Sequence, residues 1–446
     1  MNKEYLINDK PAKALAVFTL PMIIGNLFQQ FYTMADSVIV GRFVSEDALA
    51  AVGASYSFTN VFICIAIGGG VGASVITSRY WGARDYKKMI QSATTALISF
   101  LILSVILAAT GIIWGRTFMV YLNTPENILD MASDYLRIYF WGLPFLFMYN
   151  VISAIFNAIG RSRIPLYLLI FSSLLNILLS VYMVYWLGMG VRGAAWATFC
   201  AQGVSVILSF LLLLKEFRKY ASYLETVFDT PVFSEMANVA LPSILQQSTV
   251  SIGMLLVQSV VNSFGSEMLA GFSSAMRVES ICVVPLAALG NAMSSYTAQN
   301  LGAGRLERVQ KGYYATNKYV LLFSVVICIV LESFHTSIVR LFLGESGTQL
   351  AFQTGSGYLK FMGFFFVLIG LKMSTDGLLR GAADMKMFTI ANLTNLGIRV
   401  FIAVTMAPSF GIQMVWYAVP IGWLANFLIS YGEYRTGKWK QLKTAV

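Results

Sequence analysis

Residues 91–114, QSATTALISFLILSVILAATGIIW, run for 24 positions without one charged side chain. An α-helix rises 1.5 Å per residue, so about 20 such residues cross about 30 Å of hydrocarbon. No water inside a bilayer can bond a stray N–H or C=O, so the run reads as a helix whose backbone is satisfied within itself. Runs of the same character recur along the chain, with expected spans at 14–40, 50–78, 91–114, 134–157, 165–187, 193–215, 236–263, 270–298, 315–337, 354–379, 388–408 and 413–432. Composition agrees: of 446 residues, 57% are hydrophobic and 12% charged, about half the charge of a water-soluble protein, and the mean hydropathy is +0.70. Pro21, Pro144, Pro242, Pro285 and Pro420 fall inside expected spans, where each removes a backbone donor and favours a bend.

Basic loop residues stay on the cytoplasmic side. Twelve spans put both termini on one side, which holds most of the 31 Lys and Arg and leaves only Arg42, Arg116, Arg192 and Arg340 in loops opposite. A multi-pass protein of the cell (inner) membrane with both termini cytoplasmic is expected. The net charge of +10 then reports topology, and no soluble basic domain offers a nucleic-acid partner a face. Lys3, Lys10 and Lys13 precede a first run too long for a signal-peptide core, so that run reads as a retained helix. Cys64, Cys200, Cys282 and Cys328 show no C-x-x-C spacing, and His335 is the only histidine. No metal, no cofactor and no enzyme chemistry are expected.

The chain repeats itself. Leu20-Pro21 returns as Leu241-Pro242, Phe43-Val44-Ser45-Glu46 as Phe264-Gly265-Ser266-Glu267, Gly82-Ala83 as Gly302-Ala303, Gly160 as Gly381 and Gly190 as Gly411. Six spans separate equivalent points, so both halves insert the same way. The fold expected is an all-α integral membrane protein with twelve transmembrane helices, in two parallel six-helix lobes related by pseudo-twofold symmetry about the membrane normal. The lobes are residues 1–215 and 236–446, and 216–235 is a cytoplasmic linker. Two such lobes suit alternating access by rocking; a duplicated channel or scaffold is the plainer alternative.

Ionisable groups at bilayer depth cost at least about 2.5 kcal/mol and are functional candidates by default. Asp134, Glu332 and Asp376 fall near expected membrane surfaces, where snorkelling or capping explains them. Asp36 does not. Gln29, Tyr32 and Asp36 share one face of the first helix at i, i+3 and i+7. Asn176 and Ser180 share a face of the fifth at i, i+4 and comparable depth, with Thr198 on the sixth a turn or two below the same surface. These oxygens can hold a proton or Na⁺ at Asp36; the alternative is that Asp36 staples helices. Glu279 lies mid-depth on the eighth span, and with Lys372 and Arg399 it forms either a second polar site or a structural ion network. The run Gly68-Gly69-Gly70-Val71-Gly72 lacks a phosphate loop's lysine and reads as a helix-packing surface.

These residues resemble the multidrug and toxic compound extrusion (MATE) family within the flippase-related superfamily. The resemblance spans essentially the whole chain and rests on the two parallel halves, Leu20-Pro21, Met34-Ala35-Asp36-Ser37, Arg79-Tyr80-Trp81-Gly82-Ala83 with its echo Gln299-Asn300-Leu301-Gly302-Ala303-Gly304, and Gly193-Ala194-Ala195-Trp196-Ala197-Thr198. It implies a coupling-ion site at Asp36, Asn176, Ser180 and Thr198, with Ser180 standing where the family carries a second aspartate. It implies a substrate cavity at Gln29 and Tyr32, to which Asn150 is added, and a helix bend at Pro21. The function implied is antiport of bulky, often cationic, organic compounds, and the single carboxylate favours H⁺ over Na⁺ as the coupling ion. A monomer in the lipid bilayer, with small organic molecules as its partners, is expected. The rivals are a lipid or lipid-linked oligosaccharide flippase of the same superfamily, for which Lys360, Lys372 and Arg399 would have to face a cleft, and a non-transporting receptor or scaffold.

Overall fold

The computed structural model describes residues 4–122, 124–344 and 347–440. A one-turn helix α1 (Tyr5–Asn8) precedes α2 (Pro11–Phe43), α3 (Glu46–Gly82), α4 (Tyr86–Tyr121), α5 (Glu126–Ala158), α6 (Arg163–Val181, continued by a π-helical turn, Tyr182–Trp186) and α7 (Gly190–Phe217). A 3-10 turn (Arg218–Tyr223) leads to α8 (Thr230–Asn262), α9 (Ser266–Gly302), α10 (Leu306–Leu343), α11 (Gln349–Gly363), α12 (Phe366–Gly381), α13 (Met385–Thr405), α14 (Ala407–Phe410) and α15 (Gln413–Thr436). Among the described residues there is no strand.

Among the described residues, eleven helices are individually long and apolar enough to cross a bilayer, and α11 and α12, bent by 55° against each other, form a twelfth, broken span. The five prolines lie inside unbroken helices. The break falls instead at Phe364, where the Phe365 and Leu368 amides bond to carbonyls three residues back, those of Met362 and Phe365. Such i→i+3 bonding winds the chain tighter than an α-helix and turns its axis.

The chain divides into two compact units, residues 20–244 and residues 1–19 with 245–446. In the first, α5 packs on α3, α4 and α7, and α6 packs on α7. The glycine run of α3 serves three neighbours: a Cβ on Gly68 or Gly72 would strike Ile244 or Met236 of α8, one on Gly69 would strike Phe100 of α4, and Gly70 faces Ala154 of α5. In the second unit α9 packs on α10, α11 and α12, and α15 on α12 and α13, around Phe272, Tyr358, Phe366, Trp416 and Trp423.

The duplication is visible in four turns of one design. After α3, α5, α9 and α12, three successive amides bond back to the carbonyls four, three and five residues earlier. The acceptors are Arg79, Trp81 and Tyr80; Ile155, Asn157 and Phe156; Gln299, Leu301 and Asn300; and Leu378, Arg380 and Leu379. This is the left-handed helix cap that satisfies orphan carbonyls. Its left-handed residue is Arg84 (φ 59°), Gly160 (76°), Gly304 (69°) and Ala383 (61°) respectively.

Each unit also binds the segment that precedes a first helix. In the second, Leu6 is 1% exposed. Its carbonyl accepts from Asn300 Nδ2 (3.2 Å) and Arg308 Nη2 (3.2 Å), that of Asp9 from Arg308 Nη2 (2.7 Å), and that of Ile7 from Arg305 Nη1 (2.7 Å). The guanidinium groups thus cap the C-terminal end of α1, where carbonyls are unpaired. In the first unit, Gln91 Nε2 donates to Thr226 Oγ1 (2.8 Å), the Asp229 amide to Thr95 Oγ1 (3.0 Å) and Tyr80 Oη to Glu235 Oε2 (3.0 Å). The boundaries between units fall inside α2 and α8, beside Pro21 and Pro242.

Hydrogen bonds from charged donors are worth about 1.5–3 kcal/mol each. Arg308 Nε also donates to Asn300 Oδ1 at 3.0 Å, so replacing Arg308 with Ala removes bonds to Leu6, Asp9 and Asn300 and is expected to cost about 2 kcal/mol, partial exposure discounted. Amide hydrogen exchange should quicken across residues 5–9; unchanged protection there would mean that the arginine does not hold the segment.

Candidate functional site

An amide buried among apolar helices has to find partners. Asn176 of α6 is 2% exposed. Its Nδ2 donates to Thr198 Oγ1 of α7 at 2.9 Å, and its Oδ1 accepts from Ser180 Oγ at 3.3 Å. Thr198 Oγ1 donates onward to the Ala194 carbonyl at 3.1 Å. Three of the four expected coupling-site residues therefore form one hydrogen-bonded chain between α6 and α7. The fourth, Asp36, belongs to α2, and its side chain lies outside the described residues. A cavity of about 10 Å³, room for about one water, adjoins Thr198 and is lined also by Tyr139 and Gln202. Tyr139 Oη is buried there without a partner among the described residues.

The expected substrate residues are less tied down. Gln29 is exposed on α2 and its carbonyl accepts from Thr33 Oγ1 (2.9 Å). Tyr32 is half-buried. Asn150 is half-buried on α5 and turns its amide back to the Leu146 carbonyl at 2.8 Å. Pro21 is buried within α2.

The C-terminal trio separates into two groups. Lys372 (4% exposed) pairs with Asp376 (3%), Nζ to Oδ2 3.2 Å, and donates to Asn392 Oδ1 at 3.0 Å. Glu279, 7% exposed on α9, accepts from Tyr358 Oη of α11 and feels the charge of Arg399 from α13. Arg399 Nε has no partner among the described residues. Sequence reasoning set Asp376 near a membrane surface; α9 and α15 pack over α12 and enclose it. Its i, i+4 spacing from Lys372 was the signal that could have found the pair. Asp134 is held at a rim by Arg192 (2.6 Å), and His335 Nδ1 meets Ser356 Oγ at 2.5 Å.

The shared turns and helix starts align the two halves residue by residue. The turns correct one sequence pairing, since Gly160 corresponds to the left-handed Ala383, 223 positions on, and not to Gly381; Gly190 and Gly411, both at positive φ, open equivalent helices, 221 apart. Asn176 then pairs with Arg399, Ser180 with Ala403 and Thr198 with Val419, while the Leu-Pro dipeptides pair Asp36 with Val257. Val257, Ala403 and Val419 are buried together in one apolar cluster. The second half keeps the frame and not the oxygens.

Asp384 sits in the turn between α12 and α13 and is 8% exposed. Burial, then the neighbouring Glu433 carboxylate, push its pKa up to about 6, against a smaller opposing pull from Lys438. A folded-state pKa above the ordinary 3.8 means that the folded protein holds this proton more tightly than the unfolded chain. The stabilisation is complete below about pH 4 and lost as pH rises through about 6. Melting temperature should therefore fall between pH 5 and 7.5, and Asp384→Asn should shrink that fall; an identical fall in the variant would place the titrating group elsewhere.

Comparison with known proteins adds the following. A family model described as MatE matches residues 21–182 and 242–405, one stretch in each half. The chain is 29% identical over 435 residues to a probable multidrug resistance protein, YpnP, of Bacillus subtilis, covering 97% of this chain and 96% of the relative. Among solved structures it is similar to an outward-facing multidrug resistance MATE family transporter of the MOP superfamily, at TM-score 0.89 and 25% identity over 99% of both chains. It is also similar to a MOP superfamily transporter from Pyrococcus furiosus, described by the reverse polarity of its binding pocket, at TM-score 0.91 and 26% identity over 100% of this chain and 99% of the other.

Proposed function

The chain belongs to the MatE family of multi-pass membrane transporters, and from that membership we propose that it exports bulky organic, often cationic, compounds by alternating access in exchange for H⁺. The observation that carries the reading is the Ser180-Asn176-Thr198 chain in the first unit, set against an apolar and cationic equivalent in the second. Asp36, on the helix that the resemblance brings to this chain, is the exchanging carboxylate. A carboxylate with one amide and two hydroxyls nearby is a fair proton site but a poor Na⁺ site, since Ser180 brings no second negative charge and a hard cation favours carboxylate ligands.

In the proposed cycle Asp36 takes a proton from outside, α2 bends at Pro21, and the substrate residues Gln29, Tyr32 and Asn150 release their load. Loss of the proton to the cytoplasm resets the helix. The relative's name as a multidrug resistance protein supports the substrate class. With both termini cytoplasmic, as the basic loops imply, that direction is outward from the cell.

A flippase would need cations free to meet phosphate. Lys372 is instead paired with Asp376 and Arg399 stands beside Glu279, so neither favours that rival.

The test is uptake of a fluorescent organic cation into proteoliposomes, with and without an imposed pH gradient. Uptake should require the gradient, persist when Na⁺ is replaced by choline, and fall to the level of empty vesicles in Asp36→Asn. Undiminished pH-driven transport by that variant, correctly inserted, would remove Asp36 from the mechanism.

A further inference from the structure

A connection that runs through water ordinarily turns polar side chains outward, and a cluster of exposed apolar ones marks a contact surface. The connection between α7 and α8 exposes Tyr223, Leu224, Val227 (56%) and Phe228 (43%) within six residues. Its acids are taken up by partners. Glu216 meets Lys219 at 2.7 Å, Glu225 meets Lys87 at 2.5 Å, Asp229 Oδ1 accepts from the Val232 amide at 3.1 Å, and Glu235 accepts from Tyr80. Lys215 and Arg218 are exposed, and neither enters an ion pair among the described residues.

The depth of the segment is set by α4. Thr226 and the Asp229 amide are hydrogen-bonded to Gln91 and Thr95, which lie about 8 and 14 Å along the helix from Tyr86, its first residue. Both belong to the charge-free run 91–114. Val227 and Phe228 are therefore level with the beginning of a stretch that the bilayer has to cover. Here α4 itself is sheathed, with Met89, Ile90, Ala93 and Ala96 buried, whereas Leu101, Ile102, Val105 and Ile106 further along are exposed. The turn Arg218–Tyr223 packs on α4 and α7, with Tyr220 stacked on Tyr86 at 4.9 Å between ring centroids. Along α7, exposed Leu211 and Leu214 give way to Lys215 and Arg218, the order in which a helix leaves hydrocarbon for headgroups.

We propose that residues 215–228 are a membrane-surface anchor on the leaflet that the basic loops mark as cytoplasmic. Tyr223, Leu224, Val227 and Phe228 enter the boundary of the hydrocarbon, and Lys215 and Arg218 meet the phosphates of anionic phospholipids. Apolar and aromatic side chains flanked by cations are what an anionic lipid surface binds. Depth favours lipid as the occupant, because the patch is in register with the level of α4 where the hydrocarbon starts. The anchor leads directly into α8 and so holds the start of that helix at the membrane surface. The proposal stands apart from the exchange mechanism and can be tested without transport.

The experiment is site-directed spin labelling of the full chain in phosphatidylcholine vesicles containing phosphatidylglycerol. Cys64, Cys200, Cys282 and Cys328 are replaced by Ser, so that one introduced cysteine carries the label. Val227→Cys and Phe228→Cys should collide with oxygen, relative to a water-soluble nickel chelate, several-fold more than Glu307→Cys, a water-exposed reference. Their ratios should approach that of Leu211→Cys, an exposed position on α7. Omitting phosphatidylglycerol, or adding Lys215→Gln with Arg218→Gln, should lower them. Ratios equal to that of Glu307→Cys would overturn the proposal, as would labels that neither reagent reaches, which would mean that protein covers the patch. Ratios indifferent to lipid charge and to both cations would overturn the assignment to anionic headgroups. The unmodified chain supplies a second measurement. A phosphatidylglycerol with a diazirine near the head of its acyl chain should crosslink to the peptide holding residues 223–228; crosslinks to α4 and α7 with none in that peptide would overturn the proposal.

Discussion

The controlling constraint is that a charge or amide enclosed in hydrocarbon has to be met by a partner carried on the same fold, because no solvent will meet it. The two halves answer this differently. In the first, Asn176, Ser180 and Thr198 satisfy one another, and α2, the helix that carries Asp36, packs through Ile39 and Val40 on Val191 and Ala194 of α7. In the second, the equivalent positions hold Val257, Ala403 and Val419, while the buried acids Asp376 and Glu279 each have a cation on hand, Lys372 and Arg399. A frame that was once duplicated has kept its helices and turns and has lost its equality of charge.

The proposed exchange of an ion also requires helices that can move without opening their backbones. α2 and α8 each carry a proline, and each runs from one compact unit into the other near that proline. Their leading ends are fastened, by Arg305 and Arg308 in one case and by Gln91, Thr95 and Tyr80 in the other. A proline inside a helix has already given up one backbone bond, so bending there breaks fewer of those that remain.

Much of this was legible in the sequence because the bilayer imposes length and composition. Twelve apolar runs became eleven spanning helices and one bent pair, and the i, i+4 spacing of Asn176 and Ser180 put them on one face, where a hydrogen bond joins them. The glycine run of α3 packs against three helices, as its lack of a lysine implied. What stayed hidden depends on distant neighbours. The partners of Arg305 and Arg308 are main-chain carbonyls almost 300 residues away, which leave no mark on side-chain pattern. The break at Phe364 has no proline, and Asp376 looked superficial because a span ending near residue 379 says nothing of α9 and α15 closing over it. Glu279, Lys372 and Arg399 were grouped by depth alone; only packing assigned each its partner.

Under the proposed proton exchange, the asymmetry between the halves has a countable consequence, the number of protons moved for each substrate. It can be read as the pH gradient at which net flux of a cationic substrate reverses in proteoliposomes, with membrane potential clamped and substrate gradient set. One exchangeable carboxylate in the first half, and acids in the second that already stand beside Lys372 and Arg399, predict a ratio of one. A ratio of two would contradict the account, because a second carboxyl, Asp376 or Glu279, would then have to give up its proton in every cycle.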